Sequence, residues 1–140
     1  MTRDELRQKI ADVESLIDAK YQAALEQYHK YFAQCVREKK VVMRSQPERA
    51  RFEHLAAAAI DRLKKEYAMQ FTPAYVGDVI KTERCMMRVE RIEVAAFEEP
   101  TLAFYGTYLK FDGTPYKRQF VNPILQTDIV RVVRSMPTNN

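Results

Sequence analysis

The chain has 140 residues, a size that fits one domain or one small domain with an extension. Apolar residues make up 46% and charged residues 30%, and only 3 glycines and 6 prolines occur, which argues against a disordered chain. The apolar runs are too short to cross a bilayer, and the charged first residues lack the apolar core of a secretion signal. We therefore expect a cytoplasmic globular protein.

The net charge of +4 is concentrated in one short stretch. Residues 37–51 contain six basic side chains against Glu38 and Glu48, whereas residues 72–140 are nearly neutral. The six are Arg37, Lys39, Lys40, Arg44, Arg49 and Arg51. A localised cationic surface favours an anionic partner, either nucleic acid or an acidic protein surface.

The first predicted element is a helix over about residues 3–40. Thr2 and Glu5 have the spacing of a capping box, and no glycine or proline follows before Pro47. Apolar residues then recur at alternating steps of three and four, which is typical of one helical face and close to a coiled-coil heptad. They are Leu6, Ile10, Val13, Ile17, Tyr21, Ala24, Tyr28, Tyr31 or Phe32, and Cys35. Because such a long stripe needs cover, it predicts a second helix beside it.

That second helix is predicted over about residues 46–71. Ser45 and Glu48 have capping-box spacing at its start, and the helix must end before Pro73. Its apolar face consists of Phe52, Leu55, Ala59, Leu63, Tyr67 and Phe71. We expect the two helices to form an antiparallel hairpin over residues 1–72. Because the second helix is shorter, part of the first is left for the rest of the chain or for a second copy.

The chain up to residue 136 then has the pattern of short β-strands. The predicted strands are residues 76–80, 85–95, 101–111, 116–121 and 128–134, with residues 137–140 as a tail. The apolar register of the second strand changes near Glu90 and Arg91, which indicates a β-bulge, and Gly106 marks a bend in the third. Bends of this kind let short strands curl into a small barrel.

Two further signals are turns. Asp112-Gly113 is the strongest hairpin signal in the chain, and residues 122–126 indicate one tight turn before the last strand. Five short strands with these bends and this last turn resemble the small SH3-like barrels, as does the GDVI sequence of the first strand. An OB-type barrel is the alternative, although it usually needs a longer chain. We therefore expect an α+β protein, with an N-terminal antiparallel helical hairpin followed by a small five-stranded SH3-like β-barrel at residues 73–136.

The sequence contains no recognisable motif for catalysis, cofactor binding or metal binding. Glycine occurs only at positions 77, 106 and 113, too few for a glycine-rich nucleotide-binding loop. His29 and His54, even with Cys35, lack the close pair spacing of a zinc site. Cys35 and Cys85 fall on different predicted elements, where free thiols are expected and a disulfide is the alternative. We expect a non-enzymatic protein without metal or cofactor.

Two groups of residues are candidates for partner binding. The first, here called the hairpin tip, combines the six basic residues with the apolar Val41, Val42 and Met43. The second is an aromatic and basic face of the predicted barrel: Tyr105, Tyr108, Tyr116, Lys117 and Arg118. Exposed tyrosine rings can stack on bases while nearby cations hold phosphate, although some of these rings must form the barrel core.

We predict a binding protein that binds nucleic acid, or regulates a nucleic-acid-handling complex, through these two surfaces. One alternative is a protein–protein adaptor or inhibitor, such as a small phage-type accessory protein, that occludes the surface of its partner. A second alternative is a structural homo-oligomer, for example a homodimer, built through the first helix. We expect no membrane partner.

Overall fold

The computed structural model describes residues 1–96 and 101–134, so the predicted tail at 137–140 lies outside the described residues. Two helices followed by a five-stranded antiparallel sheet confirm the α+β class. The chain divides into two compact units, Met1–Leu63 and Lys64–Asn140. They are here called the helical unit and the sheet unit.

The first helix, α1 (Arg3–Glu38), begins at the predicted capping box. The Glu5 N–H donates to the Thr2 hydroxyl at 3.1 Å, and the Thr2 N–H donates to the Glu5 carboxylate at 3.4 Å. The helix ends at Lys39, which has the left-handed conformation common at helix C-termini (φ 53°, ψ 38°). Both ends of α1 are therefore set by local hydrogen bonding and backbone geometry.

The second helix, α2 (Arg49–Met69), begins later than predicted. Pro47 disfavours a helical backbone at the residue before it, so the helix starts only beyond the proline. The Tyr21 and Phe52 rings meet edge to face with centroids 5.4 Å apart. Nearer the connection, the Met43 N–H donates to the Tyr31 hydroxyl at 2.9 Å. Tyr31, near the end of α1, thus contacts the connection, whereas Tyr21, further from that end, contacts α2. This is the order of contacts in an antiparallel hairpin.

The apolar stripe of α1 is mostly half-buried. Within the helical unit, Leu6 and Cys35 are the fully buried side chains, and the stripe passes through Tyr31 because Phe32 is exposed. On α2, Leu55 is exposed. Two helices alone cannot surround the large apolar side chains of this stripe on all sides. The helical unit therefore has few fully buried side chains of its own.

The sheet unit contains β1 (Val79–Lys81), β2 (Met86–Ala96), β3 (Thr101–Leu109), β4 (Ile124–Leu125) and β5 (Arg131–Val133). The strands form one sheet in the order β4-β3-β2-β1-β5, and a 3-10 helix, Gln126–Asp128, connects β4 to β5. The sheet is not closed within the described residues, so the predicted barrel is not confirmed. Its buried core includes Ile80, Met87, Val89, Ile92, Leu102, Phe104, Tyr108 and Ile124.

The pairing of β2 with β3 is irregular at the predicted place. The pairing register shifts between Val89 and Arg91, so Glu90 is the extra residue of a β-bulge. At this point a Cβ atom on Gly106 would lie 1.9 Å from the carbonyl oxygen of Arg88. Only glycine allows the two strands to approach this closely.

The prediction of a strand at residues 116–121 is wrong. The Asp112-Gly113 signal does mark a turn, in which the Gly113 N–H donates to the Lys110 carbonyl at 2.9 Å and Gly113 has a φ of 91°. The returning chain makes a bridge at Pro115, the Tyr116 N–H donates to the Tyr108 carbonyl at 3.3 Å, and the chain then leaves the sheet. The fourth strand is β4, which lies in the segment predicted as a turn.

Where the chain leaves the sheet, the side chain of Gln119 is hydrogen-bonded to the edge of β3. The amide oxygen of Gln119 accepts from the Tyr108 N–H at 2.7 Å, and the amide nitrogen donates to the Tyr108 carbonyl at 3.2 Å. The side chain of Gln126 likewise accepts from the buried Leu102 N–H at 3.1 Å. A side-chain amide has the donor and acceptor of a peptide group, so it satisfies a strand edge without a second strand.

Replacing Gly106 with alanine is expected to destabilise the sheet unit by about 3 kcal/mol or more, because the new methyl group overlaps the Arg88 carbonyl. Gly113→Ala is the matched control, since its surroundings are open and its left-handed backbone costs about 1–2 kcal/mol. Urea unfolding followed by circular dichroism measures both losses. Equal losses in the two variants would contradict the close approach of β2 and β3.

Replacing Gln126 with alanine is expected to cost about 1–3 kcal/mol, because the buried Leu102 N–H loses its acceptor. Gln8→Ala serves as the control: it removes an exposed hydrogen bond to Asp12 and should change stability by less than about 0.5 kcal/mol. Thermal unfolding compares the two. A Gln126→Ala protein as stable as the control would show that the Leu102 N–H does not depend on Gln126.

Candidate binding surfaces

The six basic residues of the hairpin tip all have exposed side chains. Arg37 lies in the last turn of α1, three follow in the connection, and two lie in the first turn of α2. The connection is fixed to α1 by the hydrogen bond from Met43 to Tyr31. The cations are therefore presented at one end of the hairpin by an ordered segment.

Two of the arginines lie over tyrosine rings of α1. The guanidinium carbon of Arg44 is 4.9 Å from the centre of the Tyr31 ring, and that of Arg49 is 5.7 Å from the Tyr21 ring. Stacking fixes the plane of a guanidinium group and leaves the N–H groups at its edge available as donors. Because the two rings are ten residues apart on α1, the two cations are held about 15 Å apart along the helix.

The acidic residues near the tip compensate only part of this charge. Lys40 pairs with Glu38 at 2.8 Å and Arg49 with Glu53 at 3.3 Å, and all four side chains are exposed. The hydrogen bond from Lys40 is the main reason why the pKa of Glu38 lies below its ordinary value. Pairs this exposed are weak because solvent screens them, so an anionic ligand can replace the carboxylates.

Four cations of the tip form no ion pair within the described part of the chain: Arg37, Lys39, Arg44 and Arg51. Two of the six, Arg49 and Arg51, lie in the first turn of α2, which contains no acidic residue. The partial positive charge at a helix N-terminus disfavours a cation there by roughly 0.3–1 kcal/mol. The position of Arg49 and Arg51 is therefore not one that a stabilising effect on the helix would favour.

Apolar side chains are exposed among these cations. Val41 is 78% exposed and Met43 is 83% exposed. Val42 is exposed to a lesser degree, and Phe32 and Val36 at the end of α1 are exposed as well. An apolar patch surrounded by charge is typical of a contact surface.

The structure does not bring the five residues of the second predicted surface together as one exposed face. Tyr108 is only 7% exposed, and its hydroxyl donates to the Asn122 carbonyl at 2.5 Å. Its ring packs edge to face against Phe120 at 5.4 Å, so it belongs to the core and is not available for stacking. The prediction of an exposed ring at Tyr108 is therefore wrong, and the reason is that β3 turns this side chain inward with Phe104.

The other four residues of that surface are accessible. Tyr105 is half-buried, with the Arg91 guanidinium 4.4 Å from its ring centre. Tyr116 is exposed and its ring contacts Phe120 at 6.1 Å. Lys117 and Arg118 follow with exposed side chains.

Sequence analysis missed two exposed residues of this region, Phe120 at 58% and Val121 at 88%. Together with Tyr105 and Gly106 they line a cavity of about 390 Å³ beside β3. The alternation of apolar and polar residues in this segment is that of a β-strand, but the segment pairs with no strand. Sequence periodicity therefore could not show that these two side chains are exposed. Their exposure follows from the departure of the chain from the sheet after Pro115.

A second cleft of about 580 Å³ lies between the β1–β2 turn and the 3-10 helix, with Cys85, Tyr108 and Ile124 in its lining. The Cys85 thiol is 3.2 Å from the Thr82 hydroxyl. Across residues 1–96 and 101–134, no three His, Cys, Asp or Glu side chains cluster as metal ligands. In the same residues, neither helix combines the length and apolarity needed to span a membrane.

Comparison with known proteins identifies no relative. No protein-family model, no curated protein and no solved structure matches the chain. The function has to be argued from the residues of the two surfaces themselves.

Burial raises the pKa of Tyr108, and the nearby Cys85 adds to the shift because two negative charges would repel each other. A phenol whose pKa is raised on folding contributes stability below its unfolded value of 10.0, and this stability is lost as pH rises through the folded pKa. We expect Tyr108→Phe to weaken the fall of Tm above pH ~10. Tyr116→Phe is the control, and identical pH profiles for the two variants would contradict the assignment to Tyr108.

Proposed function

We propose that the protein is a non-enzymatic binding protein that binds nucleic acid, or acts within a nucleic-acid-handling complex, through the hairpin tip. The observation that carries the proposal is the set of six exposed cations at one end of the hairpin. Two of them, Arg44 and Arg49, are preorganised on tyrosine rings, and the N–H groups of Arg49 other than Nε, which contacts Glu53 at 3.3 Å, face no carboxylate of the described residues. Preorganisation lowers the side-chain entropy that binding would otherwise cost.

The spacing of the cations supports this proposal. Arg44 and Arg49 are held about 15 Å apart along α1, and phosphates of one strand follow every 3.4 Å or so along a duplex. Because four of the six cations form no ion pair in the described residues, the tip can neutralise about four phosphates. Arg49 and Arg51 stand where the dipole of α2 disfavours positive charge, which is expected if an anionic partner compensates them.

For the sheet unit we propose a variant of the SH3-like barrel. The strand order, the bulge at Glu90 with the close approach at Gly106, and the 3-10 helix before β5 support this proposal. We propose that nucleic acid binds at the hairpin tip alone, because the ring of Tyr108, a member of the predicted second surface, is buried in the core.

A protein–protein adaptor or inhibitor is the second candidate, and the exposed apolar residues of the tip favour it. Phosphate contacts would leave Val41 and Met43 in water, whereas an acidic groove with an apolar floor would cover them. In that case truncation of the apolar residues should weaken binding more than added salt does.

The test is a titration of the full chain with single- and double-stranded oligonucleotides at several salt concentrations. With about four phosphate contacts, the association constant for a duplex should fall with a log–log slope of about 3–4. The tip variant changes five cations to glutamine: Lys39, Lys40, Arg44, Arg49 and Arg51. The control variant makes the same change of charge elsewhere on the helices: Arg3, Arg7, Lys9, Lys20 and Arg62.

We expect the tip variant to lose binding and the control variant to keep most of it. Circular dichroism of both variants confirms that α1 and α2 are intact. If wild type fails to bind either oligonucleotide at low salt, the nucleic-acid function is wrong. Equal losses in the two variants would show that total charge, and not the tip, is responsible.

A further inference from the structure

The connection between α1 and α2 contains the two most exposed large apolar side chains described in the helical unit. Met43 is 83% exposed and Val41 is 78% exposed. Two lysines precede them in the chain, and Arg44 follows directly. Exposed apolar side chains within a group of cations indicate a partner that is anionic and also has apolar surface to offer.

The backbone at Met43 is held in place although its side chain is exposed. The Met43 N–H donates to the Tyr31 hydroxyl at 2.9 Å, and the Arg44 guanidinium carbon lies 4.9 Å from the centre of the same ring. Because Tyr31 belongs to α1, the helix supports the connection at this point. An anchored backbone reduces the entropy that the insertion of the Met43 side chain into a partner would cost.

A methionine side chain is suited to contact with nucleobases. It is unbranched, and its sulfur makes favourable contacts with aromatic rings. Proteins that bend DNA insert apolar side chains, methionine among them, between neighbouring base pairs and kink the duplex by about 20–90°. The cost of opening the base step is offset by further contacts with the bent duplex, to which cations beside the inserted side chain contribute.

The structure of the connection favours the minor groove of DNA. The major groove admits a whole helix or a two-stranded ribbon, whereas the minor groove is about half as wide and takes a single stretch of chain. Residues 39–48 are such a stretch, since they form neither a helix nor a strand. Lys39, Lys40 and Arg44 lie within four residues of Met43, and the negative potential of the minor groove attracts such cations.

We propose that the hairpin tip binds duplex DNA in the minor groove and bends it by inserting the Met43 side chain between two base pairs. Val41 contacts the groove beside the opened step, and the cations of the tip contact the flanking phosphates. This mode of binding rests on the nucleic-acid function proposed above and specifies the form of the partner. It covers both apolar residues, which phosphate contacts alone leave in water.

The probe is a DNA duplex of about 25 base pairs with GTAC at its centre, labelled with a donor dye at one end and an acceptor dye at the other. The matched control duplex has GATC at its centre, which keeps the base composition and the minor-groove acceptors but removes the easily unstacked TA step. Titration of the GTAC duplex with the full chain at low salt should raise energy transfer, because a bend brings the two ends closer together. We expect the GTAC duplex to bind about fivefold more tightly than the control.

Met43→Ser is the variant that tests the inserted side chain. Because this side chain is exposed, its replacement removes little packing from the hairpin, and the N–H that binds Tyr31 is retained. We expect the variant to lose the bend and the preference for GTAC, and to bind that duplex about tenfold more weakly. The dependence of its affinity on salt should change little, because the cations are unaltered.

Leu16→Ser is the matched control variant, since Leu16 is an exposed apolar residue of α1 outside the hairpin tip. We expect it to bend the GTAC duplex as wild type does. Circular dichroism of both variants checks that the helices are intact.

Four results would overturn the proposal. Salt-dependent binding of the duplex with unchanged energy transfer would exclude insertion and leave nucleic-acid binding at the tip intact. An equal bend with wild type and with Met43→Ser would exclude Met43 as the inserted side chain. Tighter binding of a single strand than of the duplex, weakened in Met43→Ser, would assign Met43 to stacking on unpaired bases. Absence of binding to either strand form at low salt would exclude the proposed function together with the insertion.

Discussion

The close approach of β2 and β3 at Gly106 is the constraint on which the arrangement of the sheet unit depends. Because Gly106 has no side chain, the Arg88 carbonyl of β2 can approach β3. Glu90, two residues further along β2, is the extra residue of the β-bulge. On its other edge, β3 pairs with β4 at Ala103 and Phe104. Near the end of β3, the bridge at Pro115, the Tyr116 N–H and the side chain of Gln119 meet this edge.

The helical unit obeys a different constraint, which is the shortage of apolar cover for a 36-residue helix. α2 and the extended connection cover the stripe of α1 in succession, and the tyrosines of the stripe serve both purposes. The bodies of Tyr21 and Tyr31 pack within the hairpin, while their outer faces hold Arg49 and Arg44. The same tyrosine side chains therefore pack the hairpin and hold the arginines in place. The positions of these arginines depend on an intact hairpin.

Local signals in the sequence predicted much of this fold. The capping box at Thr2, the spacing of three and four along α1, the bulge near Glu90 and the turn at Gly113 each depend on neighbouring residues alone. The fourth strand was misplaced because β4 has two residues, too few for a periodic pattern, and because the hydrogen bonding of Gln119 to the edge of β3 is a tertiary contact. Charge counting found the cations of the tip, whereas the inward orientation of Tyr108 could not be derived, since each bend changes which face of the sheet is buried.

Hydrogen exchange of the full chain, with and without a duplex oligonucleotide at low salt, tests most directly whether nucleic acid binds at the hairpin tip and not at the second surface. We expect slower exchange of the amides in the connection, around residues 39–46, with unchanged exchange at residues 105–122. Protection confined to residues 105–122 would contradict the assignment of nucleic acid to the hairpin tip. Unchanged exchange throughout the chain, under conditions where the oligonucleotide is in excess, would contradict nucleic-acid binding altogether.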